Sequence, residues 1–186
     1  MALQTIDNHS LAESLFEVFR TRGYEGATIS LLSEVTGLKK SSLYHRFPAG
    51  KDDMVKAVIA HVSSQLHEHI IGPLLNNKEK PEKRFSKMLV IVNAFYADGR
   101  KNCLLNVLNL GKPKTEVKKL LKKDYTDWLA ALCNLGEEAG LNKKTAKERA
   151  EHFLVVVQGA LVIQRLTNDN LAFKKNMEYE KKQFFK

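Results

Sequence analysis

The sequence predicts an all-α fold of about nine helices without a sheet, and three observations support this prediction. Apolar residues recur at spacings of three and four, as at Leu11, Leu15 and Phe19, which is the period of a helix with one buried face. The sequence lacks the two-residue alternation that is typical of half-buried strands joined by hairpin turns. Breaks in the helical pattern coincide with the four prolines, which are Pro48, Pro73, Pro81 and Pro113.

The composition is that of an ordinary globular protein, with 44% hydrophobic and 27% charged residues. No apolar run reaches the roughly 18 residues of a membrane-spanning helix, and the first ten residues lack the apolar core of a signal peptide. Cys103 and Cys133 stand far apart without a CxxC spacing, which is typical of free thiols in a reducing compartment. We therefore expect a cytoplasmic protein that does not enter a membrane.

The net charge of +9 suggests a nucleic-acid partner, but the distribution of the charge weakens that argument. Residues 1–70 carry 7 Lys/Arg against 8 Asp/Glu, whereas residues 71–186 carry 23 against 13. The excess lies in the second part of the chain, where lysine pairs at 118–119, 122–123, 143–144 and 174–175 indicate solvated helix faces. A nucleic-acid interface has to be identified from a local cluster instead.

Residues 28–38 have the pattern of a short capped helix followed by a tight turn. Thr28 can cap the helix with its hydroxyl, and Gly37 stands where the turn requires a left-handed backbone. Leu38 then returns to the core. The residues that this helix is expected to present inward are Ile29, Leu32 and Val35.

The spacing of small and apolar residues across this turn predicts a helix-turn-helix. Ser33 is small at the point where two helices must cross closely, and Gly37 follows four residues later. Leu43, six residues after the glycine, anchors the second helix from beneath. This combination is the packing pattern of a helix-turn-helix, whose second helix is free to enter a DNA groove.

The exposed side of the second helix predicts the DNA contacts. No acidic residue occurs from Lys39 to Lys51, and the exposed side chains offer donors, hydroxyls and an aromatic ring. Such groups suit phosphates and base edges in a major groove, and residues at helix starts can add phosphate contacts. The predicted DNA-binding residues are Thr28, Lys39, Lys40, Ser41, Ser42, Tyr44, His45 and Lys51.

A longer run of residues, roughly 8–62, resembles the N-terminal signature of the TetR family. It includes Gly23-Tyr24, Ala27-Thr28-Ile29, Val35-Thr36-Gly37-Leu38, Ser42-Leu43-Tyr44-His45-Arg46-Phe47-Pro48 and Lys51-Asp52-Asp53-Met54. The resemblance implies that Lys40, Ser41 and Ser42 face bases or phosphates, that Tyr44 and His45 contact the backbone, and that Lys51 binds a phosphate. Ser33 and Thr36 replace the commoner alanines, and Gly50 lengthens the loop before Lys51.

The rest of the chain resembles the family more weakly. Residues 102–107 are similar to the start of the family's sixth helix, and residues 158–165 to its eighth. The resemblance implies a homodimer in which the last two long helices of each subunit form a four-helix bundle. An apolar run at residues 153–166, too wide for one buried face, agrees with this. The predicted dimer residues are Phe153, Val156, Gly159, Ala160 and Ile163.

The resemblance also implies a pocket for a small, apolar or aromatic effector among the middle helices. Trp128 and Tyr96 are the strongest candidates, because each combines an apolar ring with a polar group. The predicted pocket residues are Phe85, Met88, Leu89, Val92, Phe95, Tyr96, Cys103, Leu104, Val107, Trp128, Leu132 and Phe153.

These features together predict a dimeric repressor that binds an inverted-repeat operator and is released from it by the effector. We expect the DNA-binding domain at residues 1–50, a connecting helix at 51–71, and the ligand-binding and dimerisation domain at 72–186. The resemblance implies that effector binding favours a conformer in which the helix from Val55 to Ile71 tilts and changes the spacing of the recognition helices.

Two alternatives within DNA binding remain open, and catalysis is not expected. Cys103 lies next to Arg100 and Lys101, basic neighbours of the kind found beside reactive thiols, so a redox-responsive repressor is one alternative. The other is an activator or architectural protein without an effector.

Three histidines, His61, His67 and His69, are considered as metal ligands. They lack a metal-binding spacing on one helix and are expected to be exposed. Without a catalytic motif, we expect neither an enzyme nor a metal or cofactor.

Overall fold

The computed structural model describes residues 6–109 and 115–186, and they are built from helices. From residue 67 to residue 75 the backbone stays helical through a π-helical stretch, His67–Ile71, and a short α-helical piece, Gly72–Leu75. With that extension counted as part of the preceding helix, the described residues form nine helices and no strand, which confirms the all-α prediction. The helices are α1 (Asn8–Gly26), α2 (Ile29–Thr36), α3 (Lys40–Arg46), α4 (Lys51–Leu66), α5 (Pro81–Phe95), α6 (Leu104–Asn109), α7 (Thr115–Glu138), α8 (Lys143–Thr167) and α9 (Leu171–Gln183).

Side-chain caps fix where three of these helices begin. The Asp7 carboxylate accepts a hydrogen bond from Ser10 N at 2.9 Å, and the Asn142 side chain accepts one from Thr145 N at 3.0 Å. Thr28 Oγ1 accepts from Leu31 N at 3.2 Å, which confirms the predicted cap of α2. Each cap satisfies a backbone N–H that has no partner inside the helix.

The described residues divide into two compact units. The first unit comprises residues 6–64, 104–109 and 115–121, and the second comprises Gln65–Cys103 and Lys122–Lys186. In the first unit, α1 packs against α2 and α6, and Leu15, Phe19, Leu32 and Leu43 are fully buried. The division into functional domains after residues 50 and 71 stays a prediction.

The helix break expected at Pro73 is wrong. Proline lacks an N–H, and in a regular α-helix its ring would clash with the carbonyl group four residues earlier, here that of His69. The structure avoids a break by a wider turn, in which Gly72 N donates to the His67 carbonyl oxygen. Pro81 lies in the first turn of α5, and Pro48 lies between α3 and α4, as expected. Pro113 lies outside the described residues.

The second unit has an aromatic core. Phe85 of α5 stacks on Phe184 with ring centroids 4.3 Å apart, and it meets Phe153 of α8 edge-on at 5.4 Å. Glu180 of α9 is also buried, and its pKa is raised by desolvation even though His152 Nε2 lies 3.1 Å from its carboxylate. Burial of this carboxyl therefore opposes its charged form.

The turn after α5 is left-handed over three successive residues, Ala97, Asp98 and Gly99, with φ of 47°, 55° and 93°. The turn is closed by Asp98 N, which donates to the Asn93 carbonyl oxygen at 2.8 Å, and by Lys101 N, which donates to that of Tyr96 at 2.9 Å. This conformation is unusual for residues with a Cβ atom. The backbone hydrogen bonds hold it in place.

None of the described helices is long and apolar enough to cross a membrane.

Candidate nucleic-acid interface

The turn between α2 and α3 has the predicted geometry of a helix-turn-helix. Gly37 adopts φ 68° and ψ 2°, the left-handed conformation that the turn requires. Ser33 Oγ donates to the Leu38 carbonyl oxygen at 2.6 Å, so the small residue of α2 also closes the turn by a side-chain bond. Leu32 and Leu43 are fully buried and join the two helices to the core.

The predicted inward face of α2 needs one correction. Val35 is 46% exposed, and Thr36 is buried in its place, while Ile29 is half-buried. The hydroxyl of Thr36 donates to the Leu32 carbonyl oxygen at 2.6 Å, so its burial leaves no donor unsatisfied. The departure from alanine at position 36 is therefore accommodated by a hydrogen bond within the helix.

The predicted DNA-binding side chains at the start of α3 and along it are accessible, and together we call them the α3 face. Lys39, Lys40, Ser41, Tyr44 and His45 are exposed, and Ser42 is half-buried. Thr28, at the start of α2, is also exposed. Since residues 39–51 contain no Asp or Glu, no carboxylate of this segment opposes the approach of a polyanion.

The loop between α3 and α4 lies under the ring of Tyr44. Gly50 has a φ of +66°, and its N–H donates to the Phe47 carbonyl oxygen at 2.8 Å. A Cβ atom at position 50 would lie 3.5 Å from the Tyr44 ring, an ordinary contact, so the positive φ is the feature that favours glycine there.

Lys51 does not extend into solvent. Its Nζ donates to the Tyr24 carbonyl oxygen at 2.8 Å and lies 4.4 Å from the centroid of the Tyr24 ring. The Tyr24 hydroxyl donates to Asp52 Oδ1 at 2.7 Å. Burial, followed by this bond to a carboxylate, raises the pKa of Tyr24 to about 12, so the hydroxyl remains a donor at neutral pH.

Tyr24 is a site residue to which the sequence analysis assigned no role. It stands in the family-like run at Gly23-Tyr24, but Lys51 is 27 positions further along the chain. The two residues meet because the end of α1 and the start of α4 come together in the first unit. A pairing between distant segments of this kind leaves no periodic or spacing signal in one sequence.

Comparison with known proteins agrees with this geometry. The sequence model described as "Bacterial regulatory proteins, tetR family" matches residues 13–58, which contain α2, α3 and the start of α4. The chain is 23% identical over 170 residues to an HTH-type transcriptional regulator in the lacX 3′ region of Lactococcus lactis subsp. lactis, with 89% of this chain and 86% of that protein covered. Residues 13–58 therefore match the N-terminal part of the TetR family.

Solved structures of TetR family proteins share the fold along almost the whole chain. A TetR transcriptional regulator from Legionella pneumophila aligns with a TM-score of 0.86 at 17% identity, covering 98% of this chain and 100% of that one. A cysteine mutant of the TetR family regulator CifR, complexed with 26-bp double-strand operator DNA, aligns with a TM-score of 0.77 at 20% identity, covering 97% and 98%. These likenesses show that the chain has the fold of TetR family proteins.

The predicted effector residues divide between the two units. Leu104 and the half-buried Val107 lie on α6 in the first unit, and the other ten lie in the second. In the second unit Phe85 and Trp128 both contact the ring of Phe153, at centroid distances of 5.4 and 6.1 Å. Phe95 is half-buried, and the remaining predicted residues of the second unit are buried: Met88, Leu89, Val92, Tyr96, Cys103 and Leu132.

Several polar groups lie in the interior of the second unit. The sulfur of Cys103 accepts hydrogen bonds from the Tyr96 hydroxyl at 3.4 Å and the Gln158 amide at 3.5 Å. Trp128 is 8% exposed, and its Nε1 has no hydrogen-bond partner among the described residues, nor has the buried Gln158 Oε1. The pKa of the other thiol, Cys133, is raised by desolvation and by Glu137 and Glu151, so that thiol stays protonated at neutral pH.

The predicted dimer residues lie on α8 but differ in exposure. Ile163 and Gly159 are exposed, and Val156 is half-buried. Phe153 and Ala160 are buried within the chain itself, so they offer no surface to a partner. Three further exposed apolar side chains, which the sequence analysis did not select, lie on the same helix: Val155, Val162 and Leu166.

Two of the three histidines that we expected to be exposed are partly buried and contact a carboxylate. His61 Nε2 lies 2.8 Å from Glu13 Oε2, and His67 Nε2 lies 3.1 Å from Asp127 Oδ2. His69 is exposed as expected. In the described part of the chain, no three His, Cys, Asp or Glu side chains are grouped so that they could hold a metal ion.

Proposed function

We propose that this protein is a dimeric TetR family repressor that binds an inverted-repeat operator and leaves it when a small molecule binds. The observation that carries the proposal is the acid-free α3 face on a tightly closed helix-turn-helix. Hydrogen-bond donors on a short exposed helix are suited to the edges of bases in the major groove. The relative CifR, whose structure holds operator DNA, supports the same assignment.

Within the α3 face, Lys40 is the residue on which we expect base reading to depend most. It is exposed and lies in the first turn of α3, the part of a recognition helix that contacts base edges. Ser41 and Ser42 offer hydroxyls that donate or accept, while Thr28 and Lys51 supply phosphate contacts at the two sides. Tyr44 and His45 are suited to the sugar-phosphate backbone.

Dimerisation is supported by an apolar stripe on α8. Val155, Val162, Ile163 and Leu166 are all exposed and recur at helical spacing. Gly159 lies within the stripe, and a Cβ atom there would meet nothing within 4 Å, so the backbone is open to close approach by another helix. An exposed apolar stripe of this length indicates a buried interface in the assembled protein. A two-fold dimer would present two α3 faces to two half-sites.

Effector binding is supported by the unsatisfied polar groups inside the second unit. A buried donor without a partner costs about 1–3 kcal/mol, and a ligand with an acceptor for Trp128 Nε1 removes that cost. Gln158 Oε1 is a buried acceptor without a partner, so it favours a ligand that carries a hydrogen-bond donor. We therefore propose an effector with an aromatic or apolar body and at least one hydrogen-bonding group. It would act by stabilising a conformer with low operator affinity.

The DNA proposal is tested by selecting bound fragments from a random DNA pool at physiological salt. Wild-type protein is expected to enrich an inverted repeat, and Lys40→Ala is expected to weaken binding to it by at least tenfold, because each half-site loses about 1–3 kcal/mol. Lys143→Ala, another exposed lysine at a helix start, is the matched control and should bind as wild type does. Selection of no motif, with binding that disappears at modest salt, would leave only phosphate attraction and refute the proposal.

Effector release is tested on the selected operator with a panel of small aromatic acids, amides and phenols. A true effector is expected to quench or shift the fluorescence of Trp128 and to weaken operator binding by about 5–150-fold. Trp128→Phe keeps the apolar body but removes the N–H donor, so it should lose affinity for the effector while retaining operator binding. A protein that no compound in a broad panel releases would favour the architectural or activator alternative.

A further inference from the structure

The ammonium group of Lys51 is held in one position by Tyr24. Its bond to the Tyr24 carbonyl oxygen and its place over the Tyr24 ring restrict a side chain that would otherwise sample many rotamers. A lysine ammonium has three N–H donors, and one is used by this bond. Lys51 is half-buried, so part of its side chain is accessible from solvent.

Two contacts hold the Tyr24 side chain in place, one at its hydroxyl and one at the face of its ring. Its hydroxyl donates to Asp52 at 2.7 Å, and the ring stacks on that of Phe19, with the centroids 6.5 Å apart. Phe19 is fully buried in the core of the first unit. The position of the Lys51 ammonium is therefore tied through Tyr24 to the hydrophobic core.

The two carboxylates that follow Lys51 also accept hydrogen bonds from the protein. Asp52 accepts from Tyr24, and Asp53 Oδ2 accepts from Ala49 N at 2.8 Å. Two carboxylates beside a lysine weaken its attraction for an anion. Hydrogen bonds from protein donors keep both of these groups in fixed positions, which preserves a defined place for an anion at Lys51.

We propose that Tyr24 is a positioning residue that preorganises the Lys51 ammonium for one phosphate of the DNA backbone. The proposal rests on the proposed function, since it takes DNA as the ligand of Lys51. Preorganisation raises affinity because the side-chain freedom that DNA binding would remove is already lost in the free protein.

The test is a double-mutant cycle on the selected operator, measured over a series of salt concentrations. Lys51→Ala is expected to weaken binding about tenfold and to lower the salt dependence by about one phosphate per subunit. Tyr24→Met keeps apolar volume against Phe19 but removes the ring and hydroxyl. The backbone carbonyl that binds Lys51 remains, so this variant should produce part of the same loss, about threefold to fivefold, when Lys51 is present and little further loss when Lys51 is alanine.

Controls separate positioning from a general effect on folding. Tyr24→Phe keeps the aromatic face and should remain within about threefold of wild type, since it loses one hydrogen bond. Lys56→Ala, on the same helix and paired with Glu116, should leave affinity and salt dependence unchanged. Tyr125→Leu, at a partly exposed tyrosine of the second unit, should likewise leave operator affinity and its salt dependence unchanged. Circular dichroism tests whether each variant is folded, and Tyr24→Leu, which also lacks the ring, takes the place of Tyr24→Met in the cycle if Tyr24→Met does not fold.

Two results would overturn the inference. One is that Tyr24→Met weakens operator binding by the same factor whether residue 51 is lysine or alanine. Tyr24 would then act independently of Lys51. The other is a Lys51→Ala variant with unchanged affinity and salt dependence, which would exclude a phosphate contact while wild-type operator binding kept the proposed function intact. Wild-type protein without operator binding would refute both together.

Discussion

Replacing Gly99 by alanine is expected to lower the free energy of unfolding by about 3–5 kcal/mol. Gly99 has a φ of +93°, and a Cβ atom there would lie 2.7 Å from Cβ and 2.8 Å from Cγ of Phe173. Phe173 is fully buried, so it has no free space into which to move. The strain of the backbone and the overlap with the ring therefore add to each other. Urea denaturation at one fixed protein concentration measures the change.

Gly140 provides a matched control for this experiment. It has nearly the same backbone conformation, with a φ of +97°, but a Cβ atom there would meet nothing within 4 Å. Gly140→Ala should lower the free energy of unfolding only through backbone strain, by about 1–2 kcal/mol. The difference between the two variants measures the contact with Phe173. Equal losses at the two sites would show that this contact contributes nothing to the cost.

A glutamate at position 155 is expected to convert the proposed dimer into monomers. Val155 is 69% exposed at one end of the α8 stripe, and two-fold symmetry places both copies of the substitution in the same interface. Burial of two carboxylates without partners should raise the dimer dissociation constant at least 100-fold. Sedimentation measures the mass, and operator binding should weaken in parallel because the two half-sites are no longer held together.

Val90 serves as the control for the general effect of replacing an exposed valine by a charged residue. It lies on α5 and is 68% exposed, almost the same fraction as Val155, but it is not part of the α8 stripe. Val90→Glu is expected to remain dimeric and to bind the operator as wild type does. Val155→Glu that stays dimeric at wild-type affinity would show that the subunits pair through another surface. If both variants dissociate, the effect of the charge does not depend on the stripe.

The helix-turn-helix could be predicted because its chemistry is local. A hydroxyl at the start of α2, a glycine at the left-handed turn and a buried leucine on α3 each report on their own backbone position. For that reason Thr28, Gly37 and Leu43 have the structural roles that their sequence positions indicated. Their spacing also agrees with the segment that the TetR family model matches.

The sequence was misleading where the burial or the contacts of a side chain depend on another residue of the chain. Thr36 is buried instead of the more apolar Val35, because a carbonyl oxygen of the preceding turn accepts from its hydroxyl. The contact of Lys51 with Tyr24 depends on two segments that are far apart in the chain. Phe153 fits an apolar interface by its type, but the aromatic rings of its own subunit surround it. Apolar type alone does not distinguish a core residue from an interface or effector contact.

The π-helical stretch His67–Ile71 has a consequence for comparing this chain with its relatives. A π turn accommodates one more residue than an α turn, so the residues after Gly72 are displaced by about one position relative to an uninterrupted helix. A relative with a regular helix at this point would need one residue fewer to bring Pro73 and Leu74 to equivalent places. Alignments that allow no gap between residues 66 and 72 would pair core side chains of this chain with surface side chains of such relatives.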